Sequence, residues 1–286
     1  MTDIVPPKRV FQPAREEAET ASQQAPVPQT AHPAYRLAFQ DMDFLLREDL
    51  RPVRFQLELL KPELLLDEAR VGSTLVFYGS ARIPEPAKAD ALIAAAATDH
   101  QRLIAERLKA KAKYYDEARA LARLASREPC DPQGWRQFVV CSGGGPSIME
   151  AANRGAADEG AESIGLNIVL PHEALPNPWV TPSLSFQFHY FALRKMHFLL
   201  RARAVAVFPG GYGTFDEAFE LLTLIQTGKV KPMPILFFGR GFWERVIDFE
   251  ALVEEGVIAP DDLGLFTFVE TAAEAWAHIR GHYSDG

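Results

Sequence analysis

Three glycine-rich segments follow directly on short apolar runs, and each has the residue types that let a backbone approach an anion. Tyr78-Gly79-Ser80-Ala81-Arg82 comes first. There Gly79 admits a ligand close to the main chain and Ser80 brings a hydroxyl, although an ordinary tight turn uses the same residues. Ser142-Gly143-Gly144-Gly145-Pro146-Ser147-Ile148 comes second, with Pro146 suited to the first position of a following helix. Exposed amides at such a turn, aligned with the helix dipole, bind phosphate. The segment is not the dinucleotide fingerprint, because Ile148 stands where the last glycine is needed, and no GK[ST] follows to make a Walker loop. A mononucleotide or phosphosugar is therefore favoured over NAD or ATP hydrolysis, with a purely structural turn as the alternative. The third segment is Pro209-Gly210-Gly211-Tyr212-Gly213-Thr214-Phe215-Asp216-Glu217. Its amides and Thr214 could grip a phosphate at a helix start. Thr214 and Glu217 also match the S/T-x-x-E capping box, so Glu217 is either a helix cap or a carboxylate that activates water or holds a ribose hydroxyl.

Arg194 and Lys195 form a basic pair near the start of a predicted helix. Neighbours on a helix point about 100° apart, so one of the two can face a cleft fully. A solvated surface pair is the commoner fate of such residues, whereas an Arg fork beside glycine loops matches phosphate oxygens. His172, His189 and His197 lack HExxH or comparable carboxylate spacing, and Cys130 and Cys141 lack CxxC spacing. Neither a metal nor a cofactor is expected.

The elements that must position these residues alternate. Short β-rich runs are predicted at Thr74 to Tyr78, Phe138 to Cys141, Ser163 to Ile168, Phe186 to Tyr190, Ala204 to Phe208, Pro234 to Phe238 and Leu265 to Val269. Helical patterns fall near 87–126, 146–159, 191–202, 215–227, 242–254 and 271–282. This is an α/β pattern: a Rossmann-like, doubly wound, mainly parallel sheet with helices on both faces, whose ligands bind at the carboxyl ends of the strands. Residues 1–33, rich in Pro, Gln, Ala and Glu, are expected to be a disordered tail. Residues 34–70 form a helical extension divided by Pro52 and Pro62, and 71–286 form the nucleotide-binding domain. The extension's leucine stripe must cover the main domain or a second subunit. With 30 Lys and Arg against 38 Asp and Glu, the net charge is −8, which disfavours a nucleic-acid partner. The uncharged run from Ala174 to Leu193 is broken by Pro176, Pro178 and Pro182, so no membrane span is expected there. With no readable secretory signal, a cytoplasmic location follows.

Taken together, YGSAR at 78, SGGGPSIMEAANRGA at 142, Leu170-Pro171-His172-Glu173, Arg194-Lys195 and PGGYGTFDE at 209 resemble the LONELY GUY (LOG) family of cytokinin riboside 5′-monophosphate phosphoribohydrolases, long mislabelled lysine decarboxylases. The resemblance covers roughly residues 71–250. It implies hydrolysis of the N-glycosidic bond of a purine nucleoside 5′-monophosphate, AMP or a cytokinin nucleotide, to free base and ribose 5-phosphate. It further implies a catalytic pair of Arg194 and Glu217. Around them it implies a pocket drawn from Gly79, Ser80, Gly144, Glu173, Lys195, Gly211, Tyr212, Gly213, Thr214, Asp216 and Thr223. Asp216 replaces a glutamate usual in plant members, which keeps the charge. A homo-oligomer built on dimers is implied as well.

Glycosidic cleavage passes through an oxocarbenium-like sugar, which a carboxylate such as Glu217 can stabilise while it positions water. Arg194 is too basic to protonate the leaving base. Asp216 and His189 are weak candidates for that role. The competing expectation is a non-catalytic nucleotide or molybdenum-cofactor carrier, since glycine loops also bind phosphates without cleaving anything. A carrier has no need of both Arg194 and Glu217.

Overall fold

A computed structural model of the chain describes residues 11–170 and 175–284. The chain divides after Glu58 into two compact units. The first unit is a string of short helices: α1 (Ala14–Ser22), α2 (Pro28–Ala31), α3 (Met42–Leu45) and the opening turns of α4 (Arg51–Glu68). Residues 14–22, which the composition marks as tail, are thus helical. Asp41 caps α3 by accepting from the Phe44 amide at 3.2 Å. Arg54 ties α4 to the end of α3 by donating to the Leu45 carbonyl at 2.9 Å.

Pro62 does not divide the extension as expected, because it sits inside α4 and is buried. A helix tolerates the missing amide when packing holds the flanking turns. Here Arg201 supplies that hold, donating to Glu63 Oε2 at 3.0 Å and Asp67 Oδ1 at 2.7 Å. The end of α4 therefore belongs with the second unit.

That unit is built from β1 (Thr74–Tyr78), α5 (Pro86–Ala94), α6 (Asp99–Lys109), α7 (Lys113–Ser126), β2 (Val139–Ser142), α8 (Ile148–Asp158), β3 (Ile164–Ile168), β4 (Ser185–Phe188) and α9 (Phe191–Leu200). It continues with β5 (Ala202–Val207), α10 (Tyr212–Gln226), β6 (Ile235–Phe238), α11 (Arg240–Val246), α12 (Phe249–Glu254), β7 (Thr267–Val269) and α13 (Ala272–Ser284). The seven strands pair in the order β4-β3-β2-β1-β5-β6-β7, and every pairing is parallel. The helical stretch expected over 87–126 is three helices, α5 to α7.

Strand alternation sorts the core into two layers. Leu75 and Phe77 of β1, with Ala206 and Phe208, pack beneath Leu121 of α7, Ile148 of α8 and Ile279 of α13. Tyr78 faces the opposite layer, where its ring meets Phe198 of α9 edge-on at 5.1 Å. The chain winds outward from β1 to β4, then returns to β5 beside β1. That reversal opens a crevice above the carboxyl ends of β1, β2 and β5, the place where such sheets hold ligands. No helix among the described residues is long and apolar enough to cross a membrane.

Candidate active site

A cleft of about 820 Å³ lies at this switch point. All three glycine segments reach it: Gly79 and Ser80 after β1, Gly143 after β2, and Gly211, Tyr212, Gly213 and Thr214 after β5. Arg194 of α9 and Asp216 and Glu217 of α10 add charged groups to its lining.

The third segment settles a question the sequence left open. A capping role for Glu217 requires Thr214 at the N-cap, but α10 begins at Tyr212 with Gly211 as the cap residue. The helix starts early because the Phe215 amide already bonds the Gly211 carbonyl at 3.1 Å. Thr214 falls inside the first turn and Glu217 in the second, so Glu217 caps nothing. The first amides of α10 lack intrahelical partners and open on the cleft, with the positive end of the dipole behind them.

Glu217 is only 8% exposed. Arg194 Nη1 stands 3.9 Å from Oε1, and Lys195 Nζ stands 3.5 Å from Oε2. Burial is the largest influence on its carboxyl and raises the pKa above the ordinary carboxylate value; Lys195 and Arg194 pull the other way, while Glu220 and Asp216 add to the rise. A carboxyl tuned upward in a cleft is suited to moving a proton or steadying a cationic sugar.

Arg194 is fixed on three sides. Its Nε donates to the Leu166 carbonyl of β3 at 2.7 Å, and its guanidinium lies 5.1 Å from the Phe198 ring centre. On the third side is Gly143, where a Cβ would stand 2.6 Å from Arg194 Nη2. The first glycine of the triple therefore makes room for the arginine. Gly144 takes φ +72°, and a Cβ there would fall 2.3 Å from Asn167 Oδ1. Asn177 clasps this loop, donating to the Gly144 and Gly145 carbonyls at 3.1 and 3.0 Å. Pro146 precedes the first residue of α8 rather than opening the helix.

Not every expected pocket residue arrives at the cleft. Gly144 sits in the loop behind its lining. Lys195 turns toward α10, bonding Glu220 at 2.7 Å and Asp216 at 2.9 Å. Burial alone would lower its pKa, but the hydrogen bonds it donates to Glu220 and Asp216 hold it above the ordinary lysine value. Thr223 is exposed about three turns along α10, its hydroxyl donating to the Phe219 carbonyl at 2.8 Å. Glu173 lies outside the described residues. Conversely, Tyr78, Arg82, Met149 and Phe191 line the cleft without having been singled out as pocket residues. Arg82 carried a readable signal, as the first cation after the β1 end. Phe191 did not, since an aromatic at a helix start reads as core, whereas here it is half exposed.

A family model described as possible lysine decarboxylase matches residues 149–279. Cytokinin riboside 5′-monophosphate phosphoribohydrolase LOG of Oryza sativa subsp. japonica is 29% identical over 57% of this chain and 65% of its own length. Its counterpart LOG2 of Arabidopsis thaliana is 28% identical over 52% of this chain and 67% of its own. The pyrimidine/purine nucleotide 5′-monophosphate nucleosidase of Escherichia coli (strain K12) is 27% identical over 47% of this chain and 31% of its own. The chain thus spans about two thirds of the plant relatives and under a third of the bacterial one. Among solved structures, the molybdenum cofactor carrier protein of Chlamydomonas reinhardtii covers 73% of this chain and 97% of its own, at 17% identity and a TM-score of 0.41. That likeness is too slight to bear on fold or function. The resemblance to the LONELY GUY family read from the motifs is borne out, at modest identity, by the family model and by the relatives that align with the chain.

Proposed function

We propose that the cleft hydrolyses the N-glycosidic bond of a nucleoside 5′-monophosphate, purines foremost, giving free base and ribose 5-phosphate. The observation that carries this is Glu217, a buried carboxyl of raised pKa facing a cleft between two cations. The names of the plant and bacterial relatives support the same chemistry. The 5′-phosphate lies against the first amides of α10 and the Arg82 guanidinium, which supply directed N–H groups and a positive charge. The base lies along the apolar side, against Leu170, Phe191 and Val246. Ionised Glu217 stabilises the cationic sugar as the C1′–N bond breaks, then takes a proton from the water that adds to C1′. Arg194 holds the ribose or the departing base while remaining charged. Asp216 is engaged by Lys195, so the departing base takes its proton from water.

The test is a chromatographic assay of the purified protein with AMP, GMP, IMP, CMP and isopentenyladenosine monophosphate. Release of free base with ribose 5-phosphate, lost in Glu217→Gln, is the expected outcome, and the panel ranks the bases. Nucleotide binding without cleavage would overturn the hydrolase and leave a carrier.

A further inference from the structure

Two polar groups beside the cleft lack what each could give the other. The Tyr78 hydroxyl is buried and has no hydrogen-bond partner among the described residues. Glu217, for its part, is approached by its cations only at 3.5 and 3.9 Å, and no hydrogen bond to its carboxyl is recorded among the described residues. Both side chains border the same cleft, on the same face of the sheet. Tyr78 meets Phe198 edge-on at 5.1 Å, and Arg194, whose Nη1 is 3.9 Å from Glu217, lies over that same ring, so Phe198 links the phenol to a neighbour of Glu217. A buried hydroxyl left without a partner is costly, and native structures keep few of them. The phenol stays protonated: burial first, then the negative charge of Glu217, hold its pKa well above the ordinary tyrosine value. It can therefore donate and cannot act as a base.

Resting on the nucleotide-hydrolase reading, we propose that Tyr78 is a positioning residue, whose phenol donates a hydrogen bond to the Glu217 carboxylate when a nucleotide fills the cleft. Filling the cleft displaces water from Glu217 and makes its ionised form harder to sustain. A donor from the buried strand β1 supplies the missing stabilisation and fixes which oxygen faces C1′. The other charged groups facing Glu217 are Arg194 and Lys195 from α9 and Asp216 and Glu220 from its own helix. The Cys141 thiol of β2 faces Tyr78 and stays protonated through burial.

Tyr78→Phe removes the hydroxyl and keeps the ring. Two measurements decide its role. Carbon-13 NMR titration of Glu217, assigned with Glu217→Gln, is carried out with saturating ribose 5-phosphate; the variant should show a higher carboxyl pKa than the wild type. The kcat–pH profile with AMP should then move its acid limb upward, and kcat should fall about ten- to a hundredfold at little change in KM. The melting temperature should hold or rise, since the lost hydroxyl has no partner among the described residues. An unshifted titration overturns the proposal, and a raised KM with that unshifted titration puts the phenol on the ligand instead. Wild-type protein that cleaves nothing overturns the hydrolase reading alone, because the titration still decides the hydrogen bond.

Discussion

Two regions of the second unit set arginines or lysines against carboxylates across a pair of helices, with opposite results. Between α7 and α8, Arg119 grips Asp158 through Nε and Nη2 at 2.5 and 2.7 Å, while Arg123 and Arg127 converge on Glu159 at 2.7 and 2.9 Å. Hydrogen bonds from Arg127 and Arg123 pull the Glu159 carboxyl down to about 2, and the bond from Arg119 lowers Asp158 as well. Between α9 and α10, Arg194 and Lys195 stand near Glu217 but beyond hydrogen-bond length, and burial moves its carboxyl up. The clamp is saturated by forked, direct hydrogen bonds in water, which leaves its carboxylates inert. At the cleft the carboxyl is buried and undersaturated, so it can change protonation as a reaction proceeds. Direct hydrogen bonding and solvent, rather than the number of charges, separate a strut from a reactive group.

The comparison breaks most sharply if activity fails to follow it. Glu217→Gln should lower kcat roughly 10²- to 10⁴-fold, in the range of a lost acid–base group, whereas Glu159→Gln should leave kcat unchanged. Steady-state kinetics on the pair checks both, and equal effects would erase the distinction. A smaller loss is expected from Gly143→Ala. The backbone there accepts alanine, so the added methyl must displace the Arg194 guanidinium, which it would approach at 2.6 Å, along with the flexible Met149 sulfur at 2.8 Å. A drop in kcat of about tenfold with an unchanged fold would show how closely that arginine is placed. Arg82→Ala should act on KM instead, raising it about tenfold for a nucleotide and little for the free nucleoside, as loss of one charge-assisted contact to phosphate requires.

Those residues also show what the sequence could and could not reveal. All seven strands and the switch point follow from alternating apolar runs and glycine turns, because burying a parallel sheet constrains composition along each strand. Arg194 and Glu217 were legible as a pair through motif order. The start of α10 was not, since T-x-x-E satisfies a capping box wherever it occurs and only the Gly211 carbonyl decides which residue begins the helix. Lys195 reads like Arg194 from spacing alone. Its turn toward Asp216 and Glu220 depends on α10 lying beside α9, which no local pattern encodes. Tyr78 is hidden for a similar reason: in a strand its type signals core, and the missing partner of its hydroxyl appears only once α9 and α10 are in place.

The smallest effects sharpen the comparison through the sign of their pH dependence. Glu159 has a folded pKa depressed to about 2, below its unfolded value near 4.5, so the unfolded chain binds more protons between those values. The clamp's stabilisation is accordingly present above pH 4.5 and is lost as the pH falls toward about 2. Glu217 behaves in reverse. Its folded pKa is raised, so between the unfolded and folded values the native state holds the extra proton, and stability declines as pH rises through that window. Calorimetric melting from pH 3 to 8 should therefore show Glu159→Gln losing a little stability relative to wild type, with the deficit growing up to the ordinary carboxylate range and then constant. Glu217→Gln should show a gain that opens above that range, because the amide carries no charge to desolvate. Lys195 keeps Asp216 and Glu220 in that variant, so removing the third carboxylate leaves it paired and the gain is not offset there. Parallel curves for the two variants would mean that Glu217 is an ordinary strut after all.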